Sequence, residues 1–233
     1  MSHGPTAIAE RLAAVRRRLA DACAAAGRSA GEVELLAVSK TQPASAVRAA
    51  FAAGQRAFGE NRVQELVGKS GELADLVGLR WHLIGSLQTN KVRELVSVPG
   101  LVLLHSLDRV RLADELQREL SRAGKRLDVL LQVHATDEAT KHGIAPMDAS
   151  ALLAHVLANC PALTVTGVMA IGPLVGDSRP VFHGVAALRA DLQRRHGVPL
   201  PVLSLGMSAD LEAAVATGST LVRIGTAVFG DRG

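Results

Sequence analysis

The stretch ELLAVSKTQPASAVRAAFAAGQRAFG, residues 34–59, holds a strand, a helix and a second strand in direct succession. Residues 34–39 are an apolar run of strand length, residues 43–53 carry a helical period behind Pro43, and residues 56–59 turn apolar again. Strands that are apolar on both sides of the pleat predict parallel pairing in a sheet covered by helices. Lys40 stands at the first join. Nothing in the local pattern asks for a long cation at the carboxyl end of an apolar strand.

The same unit recurs along the chain. Further strands are predicted at 80–84, 101–105, 127–133, 163–170, 202–205 and 220–224, which makes eight with the two above. Helical stretches are predicted near 61–76, 87–96, 108–123, 148–158, 178–196 and 208–216, with Ser86, Asp108 and Ser208 as capping residues. An amphipathic helix within residues 1–28 precedes them. Eight strand–helix units in 233 residues, with no linker or composition break, predict one (β/α)₈ TIM barrel of class α/β spanning 1–233, with an extra N-terminal helix. An open doubly wound sheet is the alternative, because periodicity does not report closure. A dinucleotide-binding sheet is disfavoured, since no GxGxxG follows the first strand.

Composition narrows the function. Hydrophobic residues make up 48% of the chain, so a core can form, and no apolar run reaches the ~20 residues of a membrane span. The start has no secretory pattern, and Cys23 and Cys160 form no framework or metal cluster, so a reduced, cytoplasmic protein is expected. The net charge of +4 favours an anionic ligand. Nucleic acid is not the expected partner, because aromatic residues are 2% of the chain and tyrosine is absent. The arginine-rich segment 11–18 reads as a solvated helix face. Lysines number five (Lys40, Lys69, Lys91, Lys125 and Lys141) against 21 arginines among the 26 basic residues. A chain that uses arginine as its ordinary cation has a specific use for lysine, the one of the two that readily loses its proton.

In a barrel of this kind the active rim lies at the carboxyl ends of the strands. Polar segments recur there: SKT (39–41), GENRVQE (59–65), WHLIGSLQTNK (81–91), HSLD (105–108), QVHATDEATKHG (132–143), GVMAIGP (167–173), SLGMSAD (204–210) and RIGTAVFG (223–230). Gly206, Ser208, Gly225 and Thr226 follow strands 7 and 8, the usual place of a phosphate cradle in this architecture. A nucleophilic lysine facing such a cradle suits an aldehyde that carries a phosphate. Pyridoxal phosphate and a sugar-phosphate aldehyde both qualify, and so far Lys40 could equally be a salt-bridge partner on the rim.

LLAVSKTQP, FGENRVQE, WHLIGSLQTNK, HSLD, the QV…E…KHG segment, GVMAIGP and LSLGMSAD…RIGTAVFG, in this order over nearly the whole chain, resemble the YggS/PROSC family of pyridoxal-phosphate homeostasis proteins. The family in turn resembles the N-terminal barrel of alanine racemase. The resemblance implies that Lys40 forms an internal aldimine with pyridoxal 5′-phosphate and that Ser208, Gly225 and Thr226 hold the phosphate, with the amide of Met207 nearby. It further implies that Arg223 faces the pyridine nitrogen and that Asn61 lines the pocket. His82 lies in a matching motif and either touches the ring or buttresses its strand. Arg62, Leu205, His134 and Gly172 depart from the family's usual tyrosine, methionine, asparagine and proline. His134 would bring a titratable group to the wall at strand 5.

Two features favour a carrier over an enzyme. A permanently charged arginine opposite the pyridine nitrogen disfavours its protonation and weakens the electron sink that carbanion chemistry uses. The racemase's second base is a tyrosine on a separate C-terminal domain; this sequence has no tyrosine and no such domain is expected. The expected function is therefore cofactor homeostasis and supply, with PLP-dependent apoenzymes as recipients, no nucleic-acid or membrane partner, and a monomer. A small PLP-dependent racemase or lyase using Lys40, His82 or His134 is the alternative.

Overall fold

The computed structural model describes residues 4–135, 143–173 and 175–230. Its first helix, α1 (Pro5–Ala25), starts at a proline, whose missing N–H costs nothing at that position. The chain then alternates: β1 (Glu34–Val38), α2 (Ala44–Ala52), β2 (Ala57–Glu60), α3 (Val63–Glu72), β3 (Arg80–Leu83), α4 (Val92–Ser97), β4 (Leu101–Leu107) and α5 (Val110–Ala123). It continues with β5 (Leu127–Gln132), α6 (Ala149–Asn159), β6 (Leu163–Met169), α7 (Arg179–His196), β7 (Val202–Ser204), α8 (Leu211–Ala216), β8 (Leu221–Ile224) and α9 (Thr226–Phe229).

The eight strands pair in parallel and close as a barrel in sequence order, so the doubly wound alternative is overturned. Closure runs through β1 and β8, with Glu34, Leu35, Leu36 and Ala37 opposite Leu221, Val222, Arg223 and Ile224. Alternate residues point inward. Leu36, Ala57, Leu103, Leu130, Met169 and Leu221 form a small apolar cluster inside the barrel. The other face of each strand joins the larger core beneath the helices. No helix among the described residues is long and apolar enough to cross a membrane.

The predicted elements are recovered with shifted ends. β4 runs two residues beyond the expected 105, through Ser106 and Leu107. The stretch predicted as one helix at 61–76 is helical only over Val63–Glu72, and that at 87–96 becomes a 3₁₀ turn at Thr89–Lys91 leading into α4. None of the three proposed caps is one. The N-cap positions of α4, α5 and α8 are Lys91, Arg109 and Asp210. Asp210 holds the Met207 N–H on its Oδ1 at 2.6 Å, which keeps Ser208 and Ala209 in a turn and delays the helix to Leu211. The short helix α9 was not anticipated.

Arg16 and Arg17 of α1 are exposed, as expected of a solvated face, but Arg11 and Arg18 are engaged with other elements. Arg11 donates from Nε to Val228 O and from Nη2 to Phe229 O, satisfying carbonyls at the end of α9. Arg18 forms two hydrogen bonds with Glu212, at 2.6 and 2.7 Å, and a third with Ser208 O at 2.8 Å. Ile8, Leu12, Val15 and Leu19, at helical spacing, bury the opposite stripe in the core. The first helix is thereby fastened to the loops that follow β7 and β8. Leu12 is fully buried, so Leu12→Ala is expected to cost about 2–5 kcal/mol, read as a lower urea midpoint with an unchanged slope. A loss below about 0.5 kcal/mol, the ordinary range of a surface change, would show that α1 is not integral to the barrel.

Candidate functional site

Every strand but β4, or the loop that follows it, contributes to a shared cavity of about 510 Å³. From the first two strands come Val38, Lys40 and Asn61, and from β3 and its loop Ile84, Gly85 and Ser86. Gln132, Met169 and Ile171 form the far wall, and Met207, Ser208, Ala209, Arg223, Gly225 and Thr226 close the circle. All seven residues proposed from the sequence therefore line one cavity: Lys40, Asn61, Met207, Ser208, Arg223, Gly225 and Thr226. His82 and His134 are not among its lining residues, and Lys141 lies outside the described residues. Ser86, expected as a helix cap, lines the cavity instead.

Lys40 is half-buried and sits second in a four-residue turn that the Gln42 N–H closes onto Ser39 O at 3.0 Å. The third residue of that turn, Thr41, has φ +66°, the one positive φ on a described residue other than glycine. Left-handed backbone costs a side-chain-bearing residue about 1–2 kcal/mol, and turns ordinarily put glycine there. Asn61 is brought in by a close approach of two loops. A Cβ on Gly85 would stand 2.1 Å from Asn61 O, so only glycine lets β3 leave the barrel at this point. Gly206 combines φ +91° with a Cβ position 2.5 Å from the Ala214 side chain, and so allows α8 to pack against the turn after β7.

Arg223, on β8, is buried, and its guanidinium is held from three sides. Nη1 donates to Ser204 O and to Ser204 Oγ, each at 2.7 Å, and Nη2 donates to Ala170 O at 2.9 Å. Burial pulls its pKa down to about 10, with Asp210 acting in the opposite sense, so it stays a cation at neutral pH. Lys40 and Arg223 thus bring two basic groups to a cavity whose described lining residues include no carboxylate. Such a surface attracts anions. The hydroxyls of Ser208 and Thr226 and the backbone around Gly225 add donors. The Met207 amide, expected near the phosphate, is engaged by Asp210.

Below the cavity the barrel holds a polar chain that the sequence did not reveal. His82 Nδ1 lies 3.0 Å from His105 Nε2, and His105 Nδ1 lies 3.2 Å from Ser204 Oγ. Arg223 can only donate, so Ser204 accepts from it and has its own hydroxyl proton to give. His105 then accepts at Nδ1 and donates from Nε2 to His82, which carries its proton on Nε2. Reversing the chain would leave the serine proton without an acceptor among the described contacts. His82 Nε2 is buried with no partner of its own. Both rings are held neutral. Burial, helped by Arg80, lowers His82 to about 3, and burial, His82 and Arg223 together hold His105 well below its usual 6.5. His82 is buried in the barrel wall and does not line the cavity.

Comparison with known proteins gives a consistent family. The alanine racemase N-terminal domain family matches residues 11–233. The pyridoxal phosphate homeostasis protein of Aquifex aeolicus is 44% identical over 226 residues, 96% of this chain and 97% of that protein. The protein of the same name from Pseudomonas aeruginosa is 47% identical over 225 residues, covering 97% of this chain and 96% of its own length. The structure of PipY from Synechococcus elongatus with PLP bound superposes with a TM-score of 0.84 at 40% identity, covering 96% of this chain and 100% of that one.

The neutral histidines make the fold acid-sensitive. Their folded pKa values lie below the ordinary 6.5, so the unfolded chain takes up the protons first as pH falls. The stability they contribute is whole above pH 6.5 and is lost progressively below it, at up to about 1.4 kcal/mol per pH unit for each ring. Glu60, which burial pushes up to about 6 from 4.5, works in the opposite direction between those two values and offsets one of the two protons there. Urea midpoints are expected to fall between pH 7 and pH 5, and less steeply in His82→Phe. Equal midpoints at both pH values in the wild type would contradict the buried neutral pair.

Proposed function

This chain belongs to the family of pyridoxal phosphate homeostasis proteins, built on the alanine racemase N-terminal domain, and from that premise we propose that it holds pyridoxal 5′-phosphate covalently through Lys40 and serves intracellular supply of the cofactor. The observation that carries this reading is the company Lys40 keeps. The Lys40 amine shares a cavity that has no carboxylate among its described lining residues with one fixed cation and three hydroxyls, at the carboxyl rim of a parallel barrel. The cavity size is within the common range for small-molecule sites, and the cationic lining suits a phosphate-bearing ligand. Once bound, the cofactor supplies an aldehyde carbon that condenses with an amine, with loss of one water.

The protein's own groups divide the work. Lys40 supplies the nucleophile from its rigid turn. Ser208, Thr226 and the Gly225 backbone receive the phosphate, and Arg18 braces the Ser208 carbonyl from behind. Arg223, fixed by Ser204 and Ala170, would stand at the pyridine nitrogen and, charged at neutral pH, would disfavour protonation of that atom. Asn61 fills the wall beside the ring. The Met207 side chain borders the same rim.

The same geometry supports carrying over catalysis. Proton exchange at a substrate carbon needs a second base opposite Lys40, and no histidine, carboxylate or tyrosine lines the cavity among the described residues. His82 Nδ1 and both nitrogens of His105 are engaged with one another and with Ser204, and neither ring lines the cavity. The recipients in this reading are apoenzymes that need PLP, and the protein acts as a cytoplasmic monomer of one domain. Its two cysteines are buried free thiols, in keeping with a reducing compartment.

Wild-type protein mixed with PLP and reduced with borohydride is expected to gain one covalent adduct, mapped to Lys40 by peptide mass. Lys40→Ala is expected to gain none while melting within a few degrees of the wild type, since this half-buried side chain is outside the core. Adduct at one other unique lysine in both proteins would displace the assignment. In deuterated water, single-enantiomer amino acids are expected to show no Cα exchange beyond one equivalent of protein. Sustained exchange would make the protein an enzyme.

A further inference from the structure

Lys69 has no place in the cavity, yet it is tied to the turn that carries Lys40. It lies in α3 and is buried, and its ammonium donates to three oxygens, each at 2.7 Å: Ser39 O, Glu60 Oε1 and Glu65 Oε1. The two carboxylates reach the same turn directly. Ser39 Oγ donates to Glu60 Oε1 at 2.6 Å, and the Thr41 N–H donates to Glu65 Oε1 at 2.5 Å. One cation and two anions therefore grip the residues on both sides of Lys40 and leave Lys40 itself to the cavity wall.

Two unfavourable features meet at this turn. Thr41 is held at φ +66°, and Glu60 is wholly buried with Oε2 unpartnered, while burial raises its pKa to about 6 against the pull of Lys69 and Ser39. Strained backbone and incompletely satisfied buried charge persist where the surroundings impose them, and they concentrate at functional sites. A turn held only for folding needs neither, since glycine at 41 would remove the strain.

We propose that Lys69, Glu65 and Glu60 form a clamp that presets the Lys40 turn, with Lys69 and Glu65 as positioning residues for the reaction of the Lys40 amine with an aldehyde. The proposal rests on the covalent role assigned to Lys40 above. The clamp fixes the peptide planes on either side of Lys40, so the amine reaches the aldehyde carbon without a search through turn conformations. Glu65 is the accessible handle, because its side chain is 23% exposed whereas Lys69 and Glu60 are buried.

The test is the rate at which PLP-free protein gains borohydride-fixed adduct after mixing with PLP, measured beside a thermal melt. Glu65→Ala frees the Thr41 N–H and is expected to slow capture at least about tenfold, the order a misplaced reacting group costs. Glu65→Gln keeps an oxygen for both donors and is expected to capture close to the wild-type rate. Adding Thr41→Gly to Glu65→Ala supplies a residue that adopts positive φ freely, and is expected to recover most of the rate. Wild-type capture by Glu65→Ala would overturn the clamp, as would slow capture that Thr41→Gly does not recover. If Glu65→Ala does not fold, Glu65→Gln and Thr41→Gly alone decide: both near the wild-type rate support the clamp, and a tenfold loss in Glu65→Gln overturns it. A wild type that takes up no PLP is a different result, because it sinks the covalent role itself.

Discussion

The ladder between β1 and β8 is the constraint on which the site depends. It pairs residues from opposite ends of the chain, and it alone brings Lys40 to Arg223, Gly225 and Thr226. In an open sheet β1 and β8 would be distant edges, and the amine and the cationic, hydroxyl-lined wall would never share a cavity. Closure also removes both exposed edges, so every strand has two hydrogen-bonded neighbours. α1 reinforces this seam from outside, because it packs on α2, α8 and α9 and places Arg11 and Arg18 on the carbonyls of the loops that β7 and β8 feed.

Charge inside the barrel follows a consistent logic. A buried guanidinium is expensive unless its donors are matched, and Arg223 finds three oxygens supplied by β7 and by the residue after β6. The next polar layer is made neutral by the same burial. His105 and His82 extend the hydrogen-bond chain away from the cation without adding charge. At the other side of the rim the solution is different. The ammonium of Lys69 is compensated by two carboxylates, so the ionic cluster sits behind the Lys40 turn and outside the cavity. Cations reach the cavity, and the acids stay behind it.

Much of this was legible in the linear chain. Apolar runs alternating with helical periods predict eight strands and their covering helices, because burial on both faces leaves no polar alternation. Lysine scarcity singled out Lys40, and the glycines and hydroxyls after strands 7 and 8 marked the opposite wall. The resemblance to a known family supplied the expected residue roles. Other features were hidden because they depend on register or on distant partners. His82 and His105 meet because β3 shifts register against β4 at Trp81/His82, and such a shift has no signature in either strand alone. Lys69, although one of only five lysines, carried no assignable role in the linear chain, since Glu60 and Ser39 reach it only after β2 and α3 have folded onto β1. The engagement of Arg11 and Arg18 was hidden because their acceptors are backbone carbonyls and the remote carboxylate of Glu212. Asp210 was a nearer miss, since its three-residue distance from Met207 is the spacing of a side chain that captures a nearby amide.

The sequence by itself determined the order and type of the elements and the parallel character of the sheet, and it singled out Lys40 at the end of the first strand, because these follow from local periodicity and side-chain chemistry. Only the tertiary structure decided that the sheet closes, which oxygens neutralise Arg223 and Lys69, and which histidines stay uncharged. Those outcomes depend on distances between residues remote in the chain and on how far each charge is removed from water.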